Sequence, residues 1–126
     1  MNKAIIREAA LYHLTPKEII KACDVNNQVK DALCNDQSFW KTIYRRDYSS
    51  FLEKEDYRQA YIDTYNHIKT LDGQIFWQVQ ENLAGNGFDR LLNYSKYKDY
   101  ILIGASRGGQ ELIFDNAIKL GAVPDR

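Results

Sequence analysis

Apolar residues recur at three- and four-residue spacing along nearly the whole chain, which predicts a helical protein. Ile5, Ile6, Ala9, Ala10 and Leu14 form one stripe, the buried face of an amphipathic first helix. Thr15-Pro16-Lys17-Glu18 then reads as a helix start: Thr15 can cap, Pro16 suits the first helical position, and Glu18 can reach back to close a capping box. The helix so opened carries Ile19, Ile20 and Cys23. A third, short helix is expected from a cap at Asp24, burying Val25, Val29 and Leu33. Asn35-Asp36 breaks that run, and Asp36 or Ser38 opens a helix with Phe39, Trp40, Ile43 and Tyr44.

Ser49-Ser50 and the charged stretch Glu53-Lys54-Glu55-Asp56 mark an internal boundary, and acidic residues there favour the start of the next helix. Tyr57, Ala60, Tyr61, Thr64, Tyr65 and Ile68 follow at helical spacing, until Leu71-Asp72-Gly73 ends the run. Short paired helices are expected beyond it, over 74–83, 87–94, 99–107 and 110–120, punctuated by Gly85, Gly87, Gly108, Gly109 and Gly121. A weak repeat supports the pairing: Ala84-Gly85-Asn86-Gly87 followed by Leu91-Leu92 recurs as Ala105-Ser106-Arg107-Gly108 followed by Leu112-Ile113. Helical hairpins of this kind bury their apolar faces against neighbours, and so occur in arrays.

Charge narrows the partners. Lys and Arg together number 17 and are matched by 17 Asp and Glu, for a net charge of zero. A partner held mainly through phosphates calls for a basic excess, so nucleic acid is not expected. No apolar run approaches the length of a membrane span, and the charges of Lys3, Arg7 and Glu8 fall where a signal peptide needs an apolar stretch. Cys23 and Cys34 do not make the multi-bridge framework of small secreted domains. They are expected as small buried apolar side chains in a reducing intracellular compartment, cytoplasmic or nuclear.

Leu14-Thr15-Pro16-Lys17-Glu18-Ile19-Ile20, then Val25 to Lys30, then Leu33-Cys34-Asn35-Asp36-Gln37-Ser38-Phe39-Trp40-Lys41 appear in an order and spacing that resemble the F-box family. With the first helix and the closing Tyr44-Arg45-Arg46-Asp47-Tyr48, the match covers residues 2 to about 48. The resemblance implies a three-helix unit that docks on the Skp adaptor of SCF-type ubiquitin ligases, with Leu14, Pro16, Ile19 and Val25 as the adaptor face. The family usually opens on a Leu-Pro pair that helps this docking, and Asn2-Lys3 stands near that place. Physical reasoning agrees on the need for a contact. A helical unit of under about 50 residues buries too little surface to stand alone, so part of its apolar face must meet a partner or the helices that follow. An apolar helix-in-groove contact needs no catalytic group.

The end of the chain resembles an ankyrin repeat. Over residues 101–125, Ala105 to Gly109 would occupy the turn between two helices, and Ile113-Phe114, Ala117-Ile118 and Leu120-Gly121-Ala122 follow at second-helix spacing. Gly109 and Gly121 fall where the repeat needs positive backbone angles. Val123-Pro124-Asp125 resembles the next repeat's loop. Glu111 departs from the pattern at a usual leucine position, and a divergent copy would precede, extending the likeness to about 74–125. An F-box followed by such repeats resembles proteins of large DNA viruses, which would work in the host cell.

Part of the same stretch also carries patterns associated with reactive chemistry. Gly104-Ala105-Ser106-Arg107-Gly108 fits the pattern of a nucleophile elbow, and the surrounding glycines mimic a dinucleotide-binding turn. Both need a strand at Tyr100 to Ile103, and both need partners farther along the chain; no histidine follows His67. His13, Cys23, Cys34 and His67 lack the close pairs of a zinc site. Trp40 and Trp77 are expected as core anchors, and the Tyr57-Tyr61-Tyr65 stripe as core packing rather than a base-stacking platform.

These readings predict an all-α fold: an F-box-like three-helix unit over 2–48, a linking helix over 49–72, and stacked ankyrin-like hairpins over 73–126. Trp40, Gly109 and Gly121 take structural roles. The implied function is a protein-binding adaptor without cofactor, metal or catalytic residues, joining the Skp adaptor to an unidentified target protein. The rival is a structural or assembly protein that keeps the F-box-like fold as scaffold. Exposure of Leu14 and Pro16 favours the first, and their burial against residues 57–68 the second.

Overall fold

The computed structural model describes Ile5, Glu8, residues 14–49 and residues 53–123, apart from the side chain of Val29. Over these residues the protein is all-α, with seven α-helices, one π-helical turn, one 3-10 turn and no strand. The expectations for Asn2-Lys3, Ile6, Ala9, Ala10, His13 and Pro124-Asp125 lie outside the described residues. Two compact units divide the chain, Met1–Asp47 with Glu53–Thr70 and Tyr48–Leu52 with Leu71–Arg126.

In the first unit, α1 (Pro16–Val25) starts on a complete capping box. Thr15 Oγ1 accepts from the Glu18 N–H at 3.3 Å, and Glu18 Oε1 accepts from the Thr15 N–H at 3.0 Å. The helix runs on through Asp24, so Asp24 caps nothing, and the next helix, α2 (Asn27–Val29), begins two residues later than a cap at Asp24 implies. It passes into a π-helical turn, Lys30–Cys34, that buries Ala32, Leu33 and Cys34. Asp36 Oδ1 then takes the N–H groups of Ser38 and Phe39 at 2.9 and 3.3 Å and opens α3 (Gln37–Asp47). Asp56 does the same for α4 (Tyr57–Lys69) through the Gln59 N–H at 3.1 Å.

The core of this unit is aromatic. Trp40 is 0% exposed, with Phe39 edge-on at 5.7 Å and Tyr61 of α4 tilted against it at 5.4 Å. Its Nε1–H donates to the Cys34 carbonyl at 3.2 Å, which satisfies the one polar atom that so buried an indole carries. Because Tyr57 and Tyr61 complete this core, α4 belongs to the first unit and is not a linking helix. Cys23 and Cys34 are buried as expected of small apolar residues, but they are not free thiols: a disulfide joins them and ties α1 to the π-helical turn.

In the second unit α5 (Phe76–Gly85), a 3-10 turn (Asp89–Leu91), α6 (Tyr94–Gly108) and α7 (Glu111–Lys119) surround a core of Ala84, Ile101, Leu102, Ala105, Ile113 and Ala117. Helices α5 and α6 run in the same direction. Trp77 stacks on Tyr100 at 5.2 Å, Glu81 meets Gly104 and Gly85 meets Gly108, with constant spacing along the chain. The seam is made by glycines: a Cβ on Gly104 would collide with the Glu81 carbonyl, and one on Gly108 with the Gly85 carbonyl. Between the two helices the chain must return, and Gln80 clasps the returning segment, donating to the Leu91 carbonyl at 3.3 Å and accepting from the Asn93 N–H at 2.7 Å. That short return leaves room for one 3-10 turn where a second helix over 87–94 was expected.

Helix ends in this unit follow one pattern. Gly109 and Gly121 have φ of 68° and 91°, and the residue after each donates five positions back, Gln110 to Ala105 and Ala122 to Ala117, both at 2.9 Å. This is the Schellman closure, which needs a left-handed residue that glycine adopts without strain. Ala105 to Arg107, expected in the turn, lie inside α6 instead, and the turn is confined to Gly109 and Gln110.

Reducing the disulfide, or Cys23→Ser, removes a cross-link over a sequence separation of 11. Urea unfolding followed by circular dichroism should show a loss of about 3 kcal/mol on the chain-entropy account. Gly104→Ala tests the seam. Inside an ordinary helix alanine would stabilise by about 1 kcal/mol, but here the added carbon must push two backbones apart, so a destabilisation of about 1–3 kcal/mol is expected in the same assay.

Candidate functional site

The four residues of the expected adaptor face do not share one surface. Ile19 points inward with Cys23 on α1 and is 0% exposed, so it belongs to the core and cannot meet a partner. Leu14 and Pro16, at the start of the same helix, are half-buried. Val25, at its far end, is 72% exposed. The exposed apolar surface described on this unit includes Val25, the outer parts of Leu14 and Pro16, and Ile5, which is 57% exposed and not buried as its stripe suggested. In the second unit Ile75 and Phe76, at the start of α5, are exposed as well.

One set of polar side chains holds the first unit together. Asp47 receives Arg46 through Nε and the terminal nitrogen at 2.8 and 3.0 Å, and accepts the Tyr61 hydroxyl at 2.6 Å. Glu53 gathers Lys41, Arg45 and the Tyr57 hydroxyl, the last at 2.9 Å. Gln37 bridges α3 to the start of α4, accepting from the Tyr57 N–H at 2.7 Å and donating to Asp56 at 3.1 Å. Three carboxyls lie below their ordinary range for these reasons: Glu18 through the Thr15 N–H, Glu53 through the Tyr57 hydroxyl, and Asp56 through the Gln59 N–H.

The segment that mimicked a catalytic turn has another use. Tyr100 to Ile103 is helical, so no strand leads into Ser106, and Ser106 sits exposed near the end of α6. Gly104 and Gly108, which supply the motif's glycines, are the residues that let α6 approach α5. Among the described residues no three His, Cys, Asp or Glu side chains converge as a metal ion would require. Trp77 is half-buried against Tyr100, and Tyr57 and Tyr61 are core residues, so neither the tryptophan nor the tyrosine stripe forms an open stacking platform.

Two clefts open on the second unit. One, of about 410 Å³, is lined by Ala105, Ser106, Gln110, Glu111, Phe114 and Asp115. The other, of about 380 Å³, follows the α5–α6 seam past Gln78, Asn82, Gly85 and Gly104, and is crossed by the Arg107–Glu81 ion pair at 3.5 Å. Sequence reasoning missed both, and it missed the glutamines that pin the chain, Gln37, Gln80 and Gln110. The usable signal was a glutamine inside or at the edge of an apolar stripe, where a polar group must find a partner. No protein-family description, curated protein or solved structure matches this chain.

The depressed carboxyls set the acid behaviour. A group with a lowered folded pKa stabilises the fold fully above its unfolded value and loses that contribution as pH falls through the folded value. The melting temperature should therefore hold steady from pH 7 toward 5 as far as Glu18, Glu53 and Asp56 are concerned, then drop below about pH 4. Glu53→Gln should lower the neutral-pH value and shrink the acid drop, both read from thermal melts across that range.

Proposed function

We propose that the protein is a non-catalytic binding adaptor, in which the first unit recruits the Skp adaptor of an SCF-type ubiquitin ligase and the second holds a target protein. The observation that carries this reading is the ordered F-box-like match from Leu14 to Trp40, which falls on a helical unit that leaves Val25 open and Leu14 and Pro16 partly open. Complete burial of Ile19 narrows the contact to those three residues. Parallel stacking of α5 on α6 supports the second half, since successive elements packed in one direction present a continuous surface of the kind that repeat proteins use for partners.

A second reading, a structural or assembly protein that keeps the helical unit as scaffold, draws on the same burial of Ile19 and on Asn2-Lys3 in place of Leu-Pro. Purified Skp adaptor and the full chain, mixed at micromolar concentration and run on size exclusion, separate the two. The adaptor reading expects a shared peak, weakened about tenfold by Val25→Asp, a cost near 1.4 kcal/mol. Two separate peaks for the unmodified chain leave the scaffold reading.

A further inference from the structure

We infer that the cleft between the end of α6 and α7 is a docking groove for a peptide segment that carries an apolar side chain next to lysine or arginine. The inference rests on the second unit's role as target holder and names the chemistry of that target.

Three features of the groove point to one kind of occupant. Its floor is apolar, formed by Ala105 and the half-buried ring of Phe114, which packs on the unit's core. Its rim carries two carboxylates, Glu111 and Asp115, one turn apart on α7 and both exposed. Among the described residues neither has an ion pair or hydrogen bond. The nearest cation one turn before Glu111, Arg107, is held by Glu81 on the other side of α6. At the mouth, the N–H of Glu111, at the first position of α7, has no intrahelical acceptor and can donate outward.

A segment that matches this set must supply an apolar side chain, a cation and a main-chain carbonyl. A basic peptide has all three. Nucleic acid has the wrong charge for the rim, and an acidic peptide would place like charges together in a partly desolvated site. The groove's volume of about 410 Å³ suits a few side chains rather than a whole domain face.

The test uses the full chain, labelled with nitrogen-15, and three capped pentapeptides: leucine flanked by arginines, leucine flanked by glutamates, and glycine flanked by arginines. The first should shift the amide signals of residues 105–115 and bind at least about tenfold more tightly than either of the others. Glu111→Lys with Asp115→Lys, two exposed changes that leave the core untouched, should reverse the preference between the arginine and glutamate peptides. Equal binding of these two peptides, shifts that map elsewhere, or an unchanged preference in the double variant would overturn the inference. The Skp adaptor plays no part in this measurement, so its failure to bind the first unit and a failure here remain separate results.

Discussion

Helices α5 and α6 approach so closely that no side chain fits between them at Gly104 and Gly108, and the second unit is organised around that contact. Two helices joined by a short connection usually fold back antiparallel. Here they run in the same direction, so the eight residues from Asn86 to Asn93 must travel back along α5 before α6 begins. A polar chain segment drawn across a helix needs partners for its own amides, and Gln80 provides them from within the helix it crosses. Gln110 completes the arrangement from the other end, donating to the carbonyls of Gly85 and Gly108, the pair that touches at the seam. The glycines thus permit the close approach, the parallel direction requires a return, and the return explains a buried glutamine.

The first unit reaches the same end by different means. Its backbone carbonyl at Cys34 is an acceptor for two distant donors, the Trp40 indole at 3.2 Å and the Arg58 guanidinium at 3.2 Å. Cys34 ends the π-helical turn, where the last carbonyls have no intrahelical partner, so side chains can take its carbonyl up. The disulfide anchors the same residue to α1. One position therefore links α1, the π-helical turn, α3 and α4, and a unit too small to rely on apolar burial alone gains both a cross-link and a fully enclosed tryptophan.

What could be read in advance follows from the range of the physics involved. Local signals carried well: the Thr15–Glu18 capping box, the Asp36 cap, the stripe of α3, and the positive φ at Gly109 and Gly121 are decided by a few neighbouring residues. The start of α6 was placed too late because Tyr97, at φ −126° and ψ 25°, breaks the helical period between its first turn and the rest. Asp24 resembles a cap in sequence because a short polar residue late in a helix carries the same local signal. The disulfide, the fate of α4 and the glycine seam depend on contacts between residues distant in sequence, and no spacing rule announces them. Ser106 shows the hazard most plainly. A glycine before and after it imitates an elbow in sequence, while in space those glycines face a neighbouring helix.

Burial also constrains what each unit can offer a partner. A short helix has one apolar face, and a side chain on it serves either the interior or a neighbour. Ile19 serves the interior, and its neighbours at the ends of α1 are left outside because helix ends project beyond the core they flank. In α7 the same logic applies. Ile113 and Ala117 face inward, Phe114 is half-buried, and Glu111 and Asp115 beside it make no ion pair among the described residues. Glu111 stands where the ankyrin-like reading of the sequence expects leucine. A leucine there would extend an apolar surface, whereas a carboxylate at the edge of an aromatic floor distinguishes one partner from another. In the groove proposed above, those carboxylates are what would favour a basic partner over an acidic one.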